Sequence, residues 1–179
     1  MTGKVNLKIS FMEMLKAGIE NASVGVVFFD RVETYNIAGR DIKVRIKEHD
    51  EKLLKGNGMV IAGIFKSNDT LADYNMVFDK SYDSFPGVVQ DFCKWHELGH
   101  VKGYECGDLK PSKKPVSIKR LLGFKKELNE EIYADSYAVE MMDKKRVLAS
   151  FKYLLENCNM TTSAKKEFIK RREYIKENF

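Results

Sequence analysis

Cysteine, proline and histidine are all scarce in this chain, with three of each in 179 residues. Cys93, Cys106 and Cys158 form an odd, scattered set, which excludes a disulfide framework and fits reduced thiols. Prolines are too few for a low-complexity or collagen-like chain, and a hydrophobic share of 44% excludes wholesale disorder. No apolar run approaches the roughly 18 residues that a membrane span requires. The first ten residues also lack the apolar core of a secretory leader. A cytoplasmic protein with no membrane partner is therefore expected. The net charge of +5 is mild and permits an anionic partner without demanding one. The length suits one domain over residues 1–179.

The hydrophobic period changes once along the chain. Ile9, Met12, Leu15 and Ile19 predict an amphipathic helix over 8–21. Val24 to Phe29 then reads as a buried strand that could extend to Tyr35. Ile42, Val44 and Ile46 alternate with Lys43, Arg45 and Lys47, the pattern of a half-exposed strand. A turn at Gly56-Asn57-Gly58 precedes an apolar run from Met59 to Phe65, and Tyr74 to Phe78 predicts a fourth strand. From Ser84 the period is helical. Asp83 or Ser84 is the expected cap, with Pro86 in the first turn, and the helix should run to Val101. A loop is expected over 102–116, followed by helices at about 117–122, 126–142, 146–157 and 163–179. These expectations describe an α+β protein, with sheet-containing residues about 1–83 and a mainly helical part at 84–179.

The chemistry concentrates at His96-Glu97-Leu98-Gly99-His100. Residues four apart share a helix face, so the two imidazoles can reach one metal ion, with zinc the expected cofactor at one ion per chain. Glu97, offset by one position, can flank the ion and carry a proton from an activated water to a leaving amine. A catalytic zinc takes three protein ligands, and two candidates for the third stand out. Glu131 shares a helix face with Asp135, so one carboxylate can ligate while the other accepts the remaining ring N–H of a ligand histidine. Cys106 could reach back if Gly103 turned the chain. Cys93, one turn before His96, is a weaker option.

His96-Glu97-Leu98-Gly99-His100 followed by Glu131-Ile132-Tyr133-Ala134-Asp135 resembles the gluzincin zinc metallopeptidases, whose second helix carries ExxAD or a related motif. The layout is also similar to small soluble ImmA/IrrE-type peptidases, although their second motif usually has Asn where this chain has Asp135. The resemblance covers about residues 85–142. It implies a zincin-like domain in which a small mixed sheet packs on the active-site helix. It further implies zinc ligands at His96, His100 and Glu131, a catalytic base at Glu97, and a supporting role for Asp135 behind a ligand. The implied function is a zinc-dependent endopeptidase acting on a protein or peptide substrate.

In such enzymes an extended substrate pairs with an open strand edge, and Ala62, Gly63 and Ile64 are the candidates here. Tyr104, Tyr133, Tyr137 and His49 are all candidate donors to a developing oxyanion. Two basic stretches remain. One contains Lys110, Lys113, Lys114, Lys119, Arg120, Lys125 and Lys126. The other contains Lys165, Lys166, Lys170, Arg171, Arg172 and Lys176. Both read as solvated surface. Without interleaved aromatics they give no strong case for a nucleic-acid partner. The alternative to an enzyme is a catalytically silent, zinc-stabilised binding module.

Overall fold

Ile42, Val44 and Ile46 are each at most 2% exposed, and their alternation does build a strand. In the computed structural model, which describes residues 31–48, 61–68, 70–109 and 124–179, that strand is β2 (Arg40–Glu48). It follows β1 (Arg31–Ile37) through a two-residue turn in which Ala38 and Gly39 both have positive φ, 54° and 76°. That is the turn geometry whose twist suits an antiparallel hairpin, and Tyr35 pairs with Ile42 across it. Of the strand expected from Val24 onward, only this C-terminal extension falls within the described residues. The expected helix over 8–21, the 56–58 turn, the helix over 117–122 and His49 lie outside them.

β3 (Ala62–Lys66) and β4 (Tyr74–Phe78) complete a mixed sheet in the order β1-β2-β4-β3. β4 runs parallel to β2, while β3 is antiparallel to β4. Tyr74, Met76 and Phe78 share a face with Ile64 and Ala62, and this face covers a central helix. β3 is an edge strand among the described residues.

The central helix, α1, spans Gly87–Cys106. It starts differently from the sequence expectation. Lys80–Ser84 forms a 3-10 turn capped by Asp79, whose carboxylate accepts from the Ser81 N–H at 2.8 Å. Asp83 and Ser84 are consumed in that turn, and Pro86 caps α1. The helix also ends later than expected. Residues 102–106 are helical, and α1 stops where Gly107 takes the left-handed conformation at φ 78°. Gly103 does not break the helix. Its missing side chain makes room for Leu109, which would lie 2.4 Å from an added Cβ.

Three further helices follow: α2 (Phe124–Met142), α3 (Lys144–Asn157) and α4 (Thr162–Asn178). Asp143 accepts from the Arg146 N–H at 2.9 Å and Thr161 from the Ala164 N–H at 3.2 Å, so side-chain caps separate the last three helices. Phe92, Val101, Ala138, Val147, Phe151, Leu154 and Ile175 fill the space between α1 and this helical layer. The fold is α+β, with α1 between the small mixed sheet and the other helices. None of the described helices is long and apolar enough to cross a membrane.

Candidate metal centre

α1 and α2 come into backbone contact at two small residues, Gly99 and Ala134. A Cβ added to Gly99 would lie 2.7 Å from the Ala134 Cα, so the backbones touch with no room for a side chain. This contact places His96 and His100, on either side of Gly99, against Glu131 and Asp135, on either side of Ala134. His96 Nε2 lies 3.3 Å from Glu131 Oε2, and His100 Nε2 lies 3.6 Å from Glu131 Oε1. The imidazole rings are nearly perpendicular, with centroids 4.9 Å apart. One donor atom from each of His96, His100 and Glu131 falls within 4.8 Å of the other two, close enough for all three to hold one metal ion.

Asp135 lies behind this group. Its Oδ1 accepts from His96 Nδ1 at 2.8 Å. Because a carboxylate only accepts, the proton is on Nδ1, which leaves Nε2 facing Glu131 and His100. Asp135 is completely buried, whereas the Glu131 side chain remains a quarter exposed. His100 Nδ1 is sealed from solvent and makes no hydrogen bond among the described residues.

Arg171, from α4, is the member of the site that the sequence reading missed. Its place in the basic run of the last helix predicts a solvated side chain, but it is only 4% exposed. Its Nε and Nη2 reach Oδ2 and Oδ1 of Asp135, both at 2.7 Å, and Nη1 lies 3.0 Å from Glu131 Oε2. Its sequence signal was positional. Ala164, Phe168, Arg171 and Ile175 follow one helical stripe, and a cation within an apolar stripe needs a buried anion.

The electrostatics follow from this arrangement. Burial opposes charge on His96, but its hydrogen bonds to Asp135 and Glu131 outweigh burial and push its pKa up to about 10. Burial of His100 depresses its pKa to about 4, so this ring is neutral at neutral pH. Burial raises Glu97 to about 7, with His96 and Arg171 pulling against the shift. Burial also disfavours charge on Glu131 and Asp135, yet Arg171 and His96 hold both below the usual carboxylate range. With His96 neutral, as a ligand must be, and all three acids ionised, Glu97, Glu131 and Asp135 face one guanidinium, leaving an excess of two negative charges. A dication would neutralise that excess. Two imidazole nitrogens plus one carboxylate also form a donor set suited to zinc. The residues fit the ion.

The backbone N–H of Ile64, on β3, donates to the Glu97 carboxylate, which brings the edge strand to the site. Asp79 N–H bonds the Ile61 carbonyl at 2.9 Å and Ser67 N–H bonds that of Asp73 at 2.8 Å. Between these pairs, Gly63 and Phe65 turn their main-chain groups toward β4, while Ala62, Ile64 and Lys66 turn theirs outward. The three candidates Ala62, Gly63 and Ile64 thus occupy the edge strand beside Glu97, with the outward groups supplied by Ala62 and Ile64.

The cysteine alternatives do not join the cluster. Cys106 is exposed at the end of α1, where six helical residues rotate it away from His100. Cys93 is buried, and burial pushes its thiol pKa upward. Among the tyrosines, Tyr104 stacks beside His100 with ring centroids 6.3 Å apart. The Tyr133 hydroxyl donates to Asp108 at 2.9 Å, and Tyr137 packs on Trp95 with Lys102 over its ring. Comparisons with protein-family models, curated proteins and solved structures find no match to this chain.

Proposed function

We propose that this protein is a zinc-dependent endopeptidase of the gluzincin type, with zinc held by His96, His100 and Glu131. The observation carrying this reading is that Glu97 is buried on the same helix as two imidazoles whose Nε2 atoms converge on a carboxylate from the neighbouring helix. Zinc bound there would supply Lewis acidity toward a water and the scissile carbonyl. The protein residues have separate tasks. Asp135 fixes the His96 ring through Nδ1, leaving Nε2 as a donor. Glu97 accepts the proton given up by the attacking water and delivers it to the departing amine. Its elevated pKa suits both directions of transfer near neutrality. The outward main-chain groups of Ala62 and the Ile64 carbonyl pair with an extended peptide substrate, while the Ile64 N–H holds Glu97 beside the substrate carbonyl.

A binding module with a purely structural metal is supported less well. Structural zinc sites are normally closed by four protein ligands, whereas three donors converge among the described residues. The deciding experiment is Glu97→Gln, assayed for metal content and for hydrolysis of an unfolded protein. The expected variant keeps one zinc per chain and loses activity by at least the ~10²–10⁴-fold typical of a general base. Undiminished hydrolysis would falsify the role of Glu97. A zinc-loaded wild-type protein that cleaves nothing would leave the binding-module reading.

A further inference from the structure

We propose that Arg171 is a positioning residue for the metal centre, holding the third ligand and its neighbouring carboxylate in one arrangement. The inference rests on the metal reading above. It begins from the cost of the arrangement itself. Glu131 and Asp135 are both acidic, one turn apart on α2, and Asp135 is fully buried. Two adjacent carboxylates repel each other, and a buried one requires a cation with good hydrogen-bond geometry.

Arg171 meets both requirements. Its fork binds the two Asp135 oxygens, while the third nitrogen reaches Glu131 Oε2. The guanidinium is also enclosed, with its central carbon 4.8 Å from the centre of the Phe168 ring and 5.6 Å from that of Phe151. This packing leaves little freedom for the side chain to swing away. Asp135 cannot then rotate without breaking two bonds to Arg171 and one to His96. Glu131, with Oε2 held, presents Oε1 toward His100.

Two consequences follow. The carboxylate of Glu131 is biased toward donating through one oxygen, and docking of α4 becomes a condition for a correctly arranged centre. Lysine cannot replace the function fully, because an ammonium is a point charge without the planar fork.

The test uses the full-length protein, Arg171→Lys and Arg171→Met, with Co²⁺ as the spectroscopic probe and Zn²⁺ affinity measured by chelator competition. Arg171→Met should weaken Zn²⁺ binding by about 10–100-fold, the usual effect of losing support behind a ligand. Its Co²⁺ visible absorption should fall as Glu131 gains a second donor oxygen and the coordination number rises. Arg171→Lys should fall between Met and wild type in both measurements. If Arg171→Met does not fold, the lysine variant carries the test.

Wild-type affinity and spectrum in either folded variant would overturn the proposal. So would a lowered melting temperature with both metal readouts unchanged, because that result describes packing alone. A wild-type protein that binds neither Co²⁺ nor Zn²⁺ would remove the metal reading itself. Variants indistinguishable from a metal-binding wild type would remove only the role given to Arg171.

Discussion

Gly99 and Ala134 meet backbone to backbone. A methyl group on Gly99 would lie 2.7 Å from the alanine Cα and 2.8 Å from its carbonyl oxygen. Neither contact can be relieved by turning a side chain. Gly99→Ala should therefore force α1 and α2 apart and destabilise the fold by about 1–3 kcal/mol, the usual range for overpacking. It should also weaken metal binding, because the two histidines and Glu131 are on opposite sides of the opened seam. Thermal unfolding of the metal-free variant and chelator competition separate the effects. Unchanged values in both would show that the helices are not held at this distance.

Metal binding should expel about one proton at pH 8. His96 has an ordinary pKa of 6.5 that its two carboxylate partners push up to about 10, so the metal-free ring is protonated there and must lose a proton to become a ligand. Affinity should rise about tenfold per pH unit between 7 and 9. Calorimetry in buffers of different protonation enthalpy reads the proton count, and a value near zero at pH 8 would contradict the assignment. In metal-free protein the folded-state pKa exceeds the unfolded one. The stabilisation from His96 is thus complete below pH 6.5 and is lost as pH rises toward 10, so the apo protein should melt at lower temperature at pH 9 than at pH 7.

Lys66→Pro probes the edge of β3 without touching the metal ligands. Lys66 is exposed, and its main-chain N–H turns away from β4, so proline removes no hydrogen bond to that strand. If an extended peptide pairs along this edge, the lost N–H should raise KM by up to about tenfold, equivalent to one hydrogen bond of ~0.5–1.5 kcal/mol. Metal content should stay at one per chain. An unchanged KM would move the peptide to another surface.

The two helices carrying the candidate ligands could be read in the sequence because local spacing sets their faces. His96 and His100 are four apart, as are Glu131 and Asp135, and small residues at Gly99 and Ala134 permit the seam between them. The end of α1 was misread because glycine is normally a helix breaker, whereas Gly103 serves the packing of Leu109. Arg171 was missed for a different reason. Its partner Asp135 is 36 residues away on another helix, and its sequence neighbours Lys170 and Arg172 disguise a buried cation as part of a solvated run. Only the intersection of the apolar stripe with that run marks it. Sequence spacing defines each helix face, but not which distant face it will meet.

The outward row on β3 has a consequence for what the protein could recognise. Apart from the Ile64 N–H, which Glu97 takes, Ala62, Ile64 and Lys66 turn their main-chain groups outward, over a strand of five residues or about 17 Å. Such an edge reads the conformation of a partner before its side chains. A segment already folded into a helix or sheet has its own amides occupied and cannot pair. Under the proposed function, susceptibility to cleavage would follow the local unfolding of the substrate: a tail, a frayed end or an opened loop would be cut, and the same sequence inside a stable domain would be spared.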